Sequence, residues 1–134
     1  MSHLLVCEFE GMGVLITFTG IIEPDEIFGL HQEISSHPDF PRWCYQIWDF
    51  SQAERLAFST DDLRQFAAAE RELAKINPHQ KLALIPRAST HKGLDNMFRV
   101  YESVWGVWES ATFWDVDSAR EWAKAGQYPE KNHF

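Results

Sequence analysis

The sequence predicts an α/β protein whose strands and helices follow in the order β-β-α-β-α-β-α-β-α. Two apolar runs, residues 4–9 and 14–19, are separated by a short link containing Gly11 and Gly13, which is typical of a hairpin. After this hairpin, segments with helical periodicity alternate with short apolar runs, and that alternation favours parallel strands joined by right-handed crossovers. We therefore expect a mostly parallel five-stranded sheet with an antiparallel first strand and with helices mainly on one face.

Length and composition limit the class of protein. A chain of 134 residues suits one domain, which we expect to span residues 1–126, followed by a loose tail at 127–134. The formal net charge of −8 argues against nucleic-acid binding, which requires a basic face. The N-terminus lacks the pattern of a signal peptide, and no run approaches the roughly 18 apolar residues that a membrane span needs. Cys7 and Cys44 fall in predicted strands, so we expect buried free thiols and a cytoplasmic protein.

Two helices are predicted with particular clarity. The first begins at Pro24 and ends before His37-Pro38, and its apolar stripe consists of Ile27, Leu30, His31 and Ile34. The second follows Ser59, a suitable N-cap with Asp62 as its capping-box partner, and runs to about residue 76. Its predicted inward side chains are Leu63, Phe66, Ala67, Leu73 and Ala74. A third helix is predicted at about residues 94–105, and a fourth after a cap at Asp117 or Ser118, with Ala119, Trp122 and Ala123 inward.

The remaining strands are predicted at residues 43–51, 81–85 and 112–116, while Gly20 is expected to end the second strand. Alternation along the strands suggests two faces. The apolar face is expected to contain Val14, Ile16, Phe18, Tyr45, Ile47, Leu82 and Leu84. The other face is more polar and is expected to contain Leu15, Thr17, Thr19, Cys44, Gln46, Trp48, Lys81 and Ala83. On this assignment Trp48 lies on a thinly covered surface, which predicts an interface and a homodimer.

Several of these segments resemble the SpoIIAA-like fold, which is similar to the STAS domains of anti-sigma-factor antagonists and anion transporters. The resemblance covers about residues 4–125. It rests on Gly20 before an acidic helix start, on Asp49-Phe50-Ser51 closing an apolar strand, and on the run at 81–85. It rests also on Phe113-Trp114-Asp115 followed by Ala119 and Trp122. The resemblance implies a regulatory domain that binds a protein partner and has no enzymatic activity.

In the antagonist STAS proteins, an Asp-Ser-Ser-Gly-Leu element starts the helix after the central strand, and its first serine is phosphorylated by a partner kinase. Aligned on the leucine, this chain has Ser59-Thr60-Asp61-Asp62-Leu63, which puts Thr60 at the phosphoacceptor position. Asp61 and Asp62 replace the second serine and the glycine, and their charges oppose an added phosphate. The chain is more similar to an uncharacterised branch of the fold, whose members resemble the CRAL-TRIO lipid-binding domain in architecture.

Candidate site residues follow two strands. Asp49 and Ser51 at the end of the central strand, with Ser59 and Thr60 beyond it, form a candidate partner or switch site; the alternative is that they bind backbone amides and cap a helix. The loop after the next strand is locally basic and precedes a helix, which favours an anion. Its candidate ligands are Arg87, Ser89, Thr90, His91 and Lys92.

No short motif indicates a metal, a cofactor or catalysis. The six histidines lack metal-ligand spacing, and no Gly-x-Ser-x-Gly elbow is present. Acidic pairs such as Glu70 with Glu72 are interpreted as solvated helix faces. The aromatic series between residues 98 and 122 forms either core or a ligand pocket. We therefore expect a cytoplasmic interaction domain, with a carrier for a small hydrophobic or anionic ligand as the alternative and an enzyme as a third, less favoured class.

Overall fold

The computed structural model describes residues 2–86 and 108–125, and every structural statement below concerns these two ranges. They contain five strands and three α-helices. In chain order these are β1 (His3–Glu8), β2 (Gly13–Ile22), α1 (Pro24–Ser35), β3 (Tyr45–Leu56), α2 (Thr60–Ile76), β4 (Lys81–Ile85), β5 (Glu109–Thr112) and α3 (Val116–Lys124). The helix predicted at residues 94–105 and the tail at 127–134 lie outside the described ranges.

The five strands form one sheet in sequential order, β1-β2-β3-β4-β5. β1 pairs antiparallel with β2, and every later pair is parallel. Two of the three described helices, α1 and α2, pack on one face of the sheet, and α3 packs on the other. The predicted fold class is confirmed.

The first face carries the larger core, beneath α1 and α2. α1 starts at Pro24 with Asp25 and Glu26 in its first turn, where they favour the helix dipole. All four side chains of its predicted stripe are buried, as are the five predicted for α2. They cover the strand residues Val14, Ile16, Phe18, Trp48, Phe50, Leu82 and Leu84. Amphipathic spacing therefore identified both helices and the faces that they bury.

The second face is covered by α3. Ala119 and Ala123 are fully buried against Tyr45, Ile47, Ala83 and Ile85, and their small side chains let the helix approach the sheet closely. At the margin of this core the Tyr45 hydroxyl donates a hydrogen bond of 2.5 Å to Glu8 Oε2. Arg120 of α3 donates two hydrogen bonds to the same carboxylate, at 2.8 and 2.9 Å. One carboxylate thus joins β1, β3 and α3.

The predicted assignment of β3 to the two faces is wrong. Ile16 pairs with Trp48, and Trp48 pairs with Leu84, so Trp48 lies on the face that α1 and α2 cover. It is only 3% exposed and packs against Phe18 and His31. The prediction that Trp48 forms an exposed interface is therefore wrong as well, and the expectation of a homodimer loses its basis.

The wrong face assignment of β3 arose from Gln46, because a polar side chain in a central strand suggests a solvent-facing position. It is in fact fully buried with its amide paired. Its Oε1 accepts the Trp48 indole N–H at 2.8 Å, and its Nε2 donates to Gln80 Oε1 at 2.9 Å. A buried amide with both groups bonded is compatible with an apolar face.

Several boundaries also differ from prediction. β2 continues through Gly20, which has a φ of +74° next to shifts in the β2–β3 register, so this glycine marks a bulge rather than an end. β3 extends to Leu56, beyond the predicted end at residue 51. β5 ends at Thr112, earlier than predicted, because Asp115 already caps α3 by accepting the Ser118 amide at 2.7 Å.

Two expectations about burial are wrong. Cys7 is exposed, whereas both cysteines were expected inside the protein; Cys44 is half-buried. Glu70 was interpreted as part of a solvated helix face but is fully buried. None of the described helices is both long and apolar enough to cross a lipid bilayer.

Candidate functional site at the first turn of helix α2

The start of α2 is closed by the predicted capping box. Ser59 has extended backbone angles, and its Oγ accepts the Asp62 amide at 3.0 Å. Asp62 completes the capping box, because its Oδ2 accepts a hydrogen bond of 2.8 Å from the Ser59 amide. Two amides that the helix leaves without an internal partner are thereby satisfied. The main observed role of the Ser59 hydroxyl is structural.

Thr60 and Asp61 are exposed in this turn, as is the capping residue Ser59. Thr60 is the first residue of α2, and Asp61 accepts a hydrogen bond of 2.8 Å from Gln65 Nε2 one turn later. The turn therefore presents a hydroxyl beside two carboxylates, one of which, Asp62, is also held by the cap. Negative charge is favoured at this end of a helix because the peptide dipoles point their positive ends there.

Asp49 and Ser51 do not join this site. Strand alternation puts Asp49 on the face opposite to Trp48 and Phe50, and thus opposite to α2. Asp49 is 9% exposed, and its Oδ1 accepts the Ser51 amide at 2.9 Å. Ser51 is exposed on the β3 segment where the pairing with β2 shifts register. A local side-chain turn is the role that the structure gives to this pair.

An apolar cleft lies behind the first turn of α2, between that helix, α1 and the sheet. It encloses about 10 Å³, roughly the space that one water molecule requires. Its lining residues are Ile27, Trp48, Phe50, Phe58, Leu63, Phe66 and Leu84. Small-molecule sites usually offer roughly 300 Å³ or more, so this cleft holds no lipid in the arrangement seen.

His31 and Glu70 form a buried pair between α1 and α2. His31 Nε2 lies 3.5 Å from Glu70 Oε2, and both side chains are almost completely enclosed. A neighbouring carboxylate ordinarily raises the pKa of an imidazole, but here burial dominates and lowers the pKa of His31 to about 4. The sequence signal for Glu70 was its place in the buried stripe of α2, one turn after Phe66.

The proposed anion loop lies outside the described residues. Arg87, Ser89, Thr90, His91 and Lys92 all fall in the gap after residue 86, so the expectation of an anion site stays a prediction. The same is true of the part of the aromatic series that precedes Trp108. Trp108 itself is buried, and its indole N–H donates to the Asn77 carbonyl at 2.8 Å.

The chain is similar to known proteins in structure rather than in sequence. No protein-family model matches the chain, and no curated protein sequence matches it. Among solved structures, the anti-sigma factor antagonist SpoIIAA in its unphosphorylated form aligns with a TM-score of 0.58, covering 92% of this chain and 98% of that chain at 14% identity. This chain has the SpoIIAA-like fold.

Two further structures agree with this assignment. The Bacillus cell fate determinant SpoIIAA in its phosphorylated form gives a TM-score of 0.53 at 19% identity, with 89% of this chain and 96% of that chain covered. An uncharacterised DUF3478-family protein from Shewanella loihica PV-4, described as having a SpoIIAA-like fold, gives 0.52 at 13% identity, with 90% and 91% covered. The resemblance inferred from the sequence is confirmed for the fold, and identities this low carry no functional assignment.

Proposed function

We propose that this chain is a non-enzymatic regulatory domain that binds a protein partner through the exposed first turn of α2. The observation that carries the proposal is the exposure of Thr60 and Asp61 at a capped helix start. In the sequence comparison with antagonist STAS domains, Thr60 occupies the position of the phosphoacceptor. One structural neighbour is SpoIIAA in its phosphorylated form, so a protein of this fold carries a phosphate.

We infer further that this surface acts constitutively rather than as a phosphorylation switch. Asp61 and Asp62 give the turn two permanent carboxylates beside Thr60. A phosphate on Thr60 would add up to about two negative charges next to them, which opposes its addition. The recognition element is then the fixed negative charge itself, and the complementary partner surface carries lysine or arginine.

The bonding of Ser59 and Asp49, two of the candidate partner or switch residues, supports a binding role. The Ser59 hydroxyl accepts a backbone amide of its own helix, and Asp49 accepts the amide of Ser51. Ser59 and Asp49 also belong to opposite sides of the sheet, so they do not form a nucleophile–base pair. Their chemistry is used for local structure, while the surface that remains exposed is suited to contact with another molecule.

The test reverses one charge at each of two matched positions. Asp61 and Asp25 are both the second residue of a helix, α2 and α1 respectively, and both are exposed. Each protein is used as bait in its native cell extract, and captured proteins are quantified by mass spectrometry. We expect Asp61→Lys to reduce recovery of a stoichiometric partner roughly fivefold or more, since a charge contact is worth about 1 kcal/mol or more. Asp25→Lys should leave recovery unchanged.

Equal loss of the partner in both variants would contradict the proposal, because it would show a dependence on net charge alone. Absence of any protein that is captured stoichiometrically by the wild type would contradict it as well. Thermal melts of both variants provide the stability control, since each removes a similar favourable contact with a helix dipole.

The carrier alternative rests on the apolar cleft behind α2. All seven lining side chains are apolar, which suits a hydrophobic ligand. Its volume of about 10 Å³ requires α1 and α2 to separate before a lipid could enter. Native mass spectrometry that detects a bound lipid in the purified protein would favour the carrier over the protein-interaction domain.

A further inference from the structure

A cluster of metal-binding side chains lies at the end of the sheet opposite to the α2 site. Cys7 is the penultimate residue of β1, and His37 and Asp39 lie in the connection from α1 to β3. Cys7 Sγ is 3.5 Å from His37 Nε2. One ligand atom from each of the three side chains lies within 4.8 Å of the other two.

The sulfur–nitrogen distance matches tetrahedral coordination of zinc. Zinc–sulfur and zinc–nitrogen bonds of about 2.3 and 2.0 Å, at a tetrahedral angle, separate the two ligand atoms by about 3.5 Å. The observed separation of Cys7 Sγ and His37 Nε2 is 3.5 Å. These two atoms are thus already placed along one edge of a tetrahedron before any metal is considered.

We propose that Cys7, His37 and Asp39 bind a divalent transition-metal ion of the zinc type, with the fourth position open to solvent. A thiolate, an imidazole and a carboxylate together are typical zinc ligands, whereas magnesium and calcium select oxygen alone. Cys7 is exposed, so an ion can reach the cluster from solvent without passing through the core.

The packing around His37 holds its Nε2 toward Cys7. The ring packs against Trp43, with 5.0 Å between the centroids, and Trp43 is itself buried. Metal ligands are usually oriented by such contacts outside the coordination sphere. Gly11 of the hairpin lies beside Asp39, since a Cβ added there would be 3.6 Å from Asp39 Oδ2.

Asp39 is the ligand that must move. Its side chain is 38% exposed and is held by Arg42, whose Nη1 lies 3.6 Å from Asp39 Oδ1. A tetrahedral edge is about 3.5 Å, so closing the cluster from its limit of 4.8 Å requires a shift of about 1 Å. A half-exposed aspartate with one long ion pair can make that shift by changing its side-chain rotamer.

Binding would also move three protons, two released and one taken up. The Asp39 amide donates to His37 Nδ1 at 3.1 Å, so the neutral ring carries its proton on Nε2, facing Cys7. A metal held by Nε2 would displace that proton to solvent, and Nδ1 would take up another in place of the hydrogen bond from the Asp39 amide. Cys7 loses its thiol proton to solvent. One proton is therefore released for each ion bound.

The test uses Co²⁺ as a spectroscopic probe on the full chain with any affinity tag removed. A thiolate ligand gives a sulfur-to-cobalt charge-transfer band, and tetrahedral geometry gives intense visible bands. We expect both with the wild type at one ion per chain, with competition by Zn²⁺. Cys7→Ser should abolish the charge-transfer band and weaken Co²⁺ binding at least tenfold.

Cys44→Ser is the matched control, because Cys44 is the other described thiol and lies outside the cluster. It should retain the spectrum and the affinity. Asp39→Asn provides a second variant and should weaken binding while keeping the charge-transfer band. A charge-transfer band that survives in Cys7→Ser, or stoichiometric binding that is equal in all four proteins, would overturn the proposal. So would the absence of any band in wild-type protein saturated with Co²⁺.

Discussion

At the scale of single residues, Gly13 and Gly29 occupy opposite surroundings. A Cβ added at Gly13 would lie 2.2 to 2.6 Å from atoms of the Tyr45 ring, which is fully buried and hydrogen-bonded to Glu8. A Cβ at Gly29, in the middle of α1, would meet nothing within 4 Å. Gly13 is therefore required by close packing on β3, whereas Gly29 only reduces the helix propensity of α1.

We expect Gly13→Ala to destabilise the protein by about 3 kcal/mol or more, because neither the buried ring nor the paired strand can move aside. Gly29→Ala should stabilise it by about 0.5 to 1 kcal/mol. Urea denaturation followed by circular dichroism measures both. A small loss with Gly13→Ala would mean that the Tyr45 ring can shift and that the hydroxyl contact with Glu8 is dispensable.

At the scale of secondary-structure elements, His3 joins β1 to α1. Its Nδ1 contacts Glu26, and its Nε2 lies 2.9 Å from Glu33 Oε1, so the ring bridges two carboxylates of α1. Burial alone would lower the pKa of His3, but hydrogen bonds to Glu33 and Glu26 and their charges outweigh burial and raise it above 6.5. Protonated His3 therefore stabilises the folded state.

The pH dependence of this contribution follows from its sign. It is fully present below the unfolded pKa of 6.5 and is lost as pH rises through the higher folded value. We expect the stability difference between wild type and His3→Gln to be largest near pH 6 and to shrink toward pH 9. Chemical denaturation at several pH values measures it, and a difference that is constant across this range would exclude the ion pairs as its cause.

His31, between α1 and α2, has the opposite dependence. Burial lowers its pKa to about 4, so the unfolded chain takes up a proton below pH 6.5 that the folded chain refuses until about pH 4. The difference between these two pKa values lowers the free energy of unfolding by about 3 kcal/mol as the pH falls from 6.5 to about 4. His31→Gln should remove that slope, whereas His79→Gln, at an exposed histidine, should retain it.

Acid denaturation of the three proteins between pH 7 and pH 4 measures the slopes. Equal slopes in wild type and His31→Gln would show that His31 is already protonated in the fold, as an ion pair with Glu70 at 3.5 Å would require.

At the scale of the whole molecule, the sequence predicted the elements whose apolar side chains repeat at a regular spacing. The apolar stripes of α1 and α2 repeat every three to four residues, and each predicted member is buried. β3 has no such signal, because six consecutive residues, from Tyr45 to Phe50, are all buried between helices on both faces. Alternation cannot be read from a strand that is covered twice, so the polar Gln46 decided the assignment wrongly.

The candidate sites differ in the same way: those formed by neighbouring residues were predicted, and those formed by distant residues were not. The capping box of Ser59 and Asp62 spans four residues and was predicted from the sequence, and the structure contains it. The pairing of Glu70 with His31 and the cluster around Cys7 depend on which elements meet in space. Cys7 and His37 are 30 positions apart, so spacing rules for short metal motifs predicted no site there.

The division of the core between two faces has a consequence for synthesis on the ribosome. The first core is built mainly from β2, α1, β3, α2 and β4, with Trp108 added from beyond β4, whereas α3, the last element in the described chain, packs on the second. Translation proceeds at about 5 to 20 residues per second, so α3 emerges roughly 2 to 8 seconds after β4. Until α3 emerges, Tyr45, Ile47, Ala83 and Ile85 lack the described helix that packs against them in the folded protein.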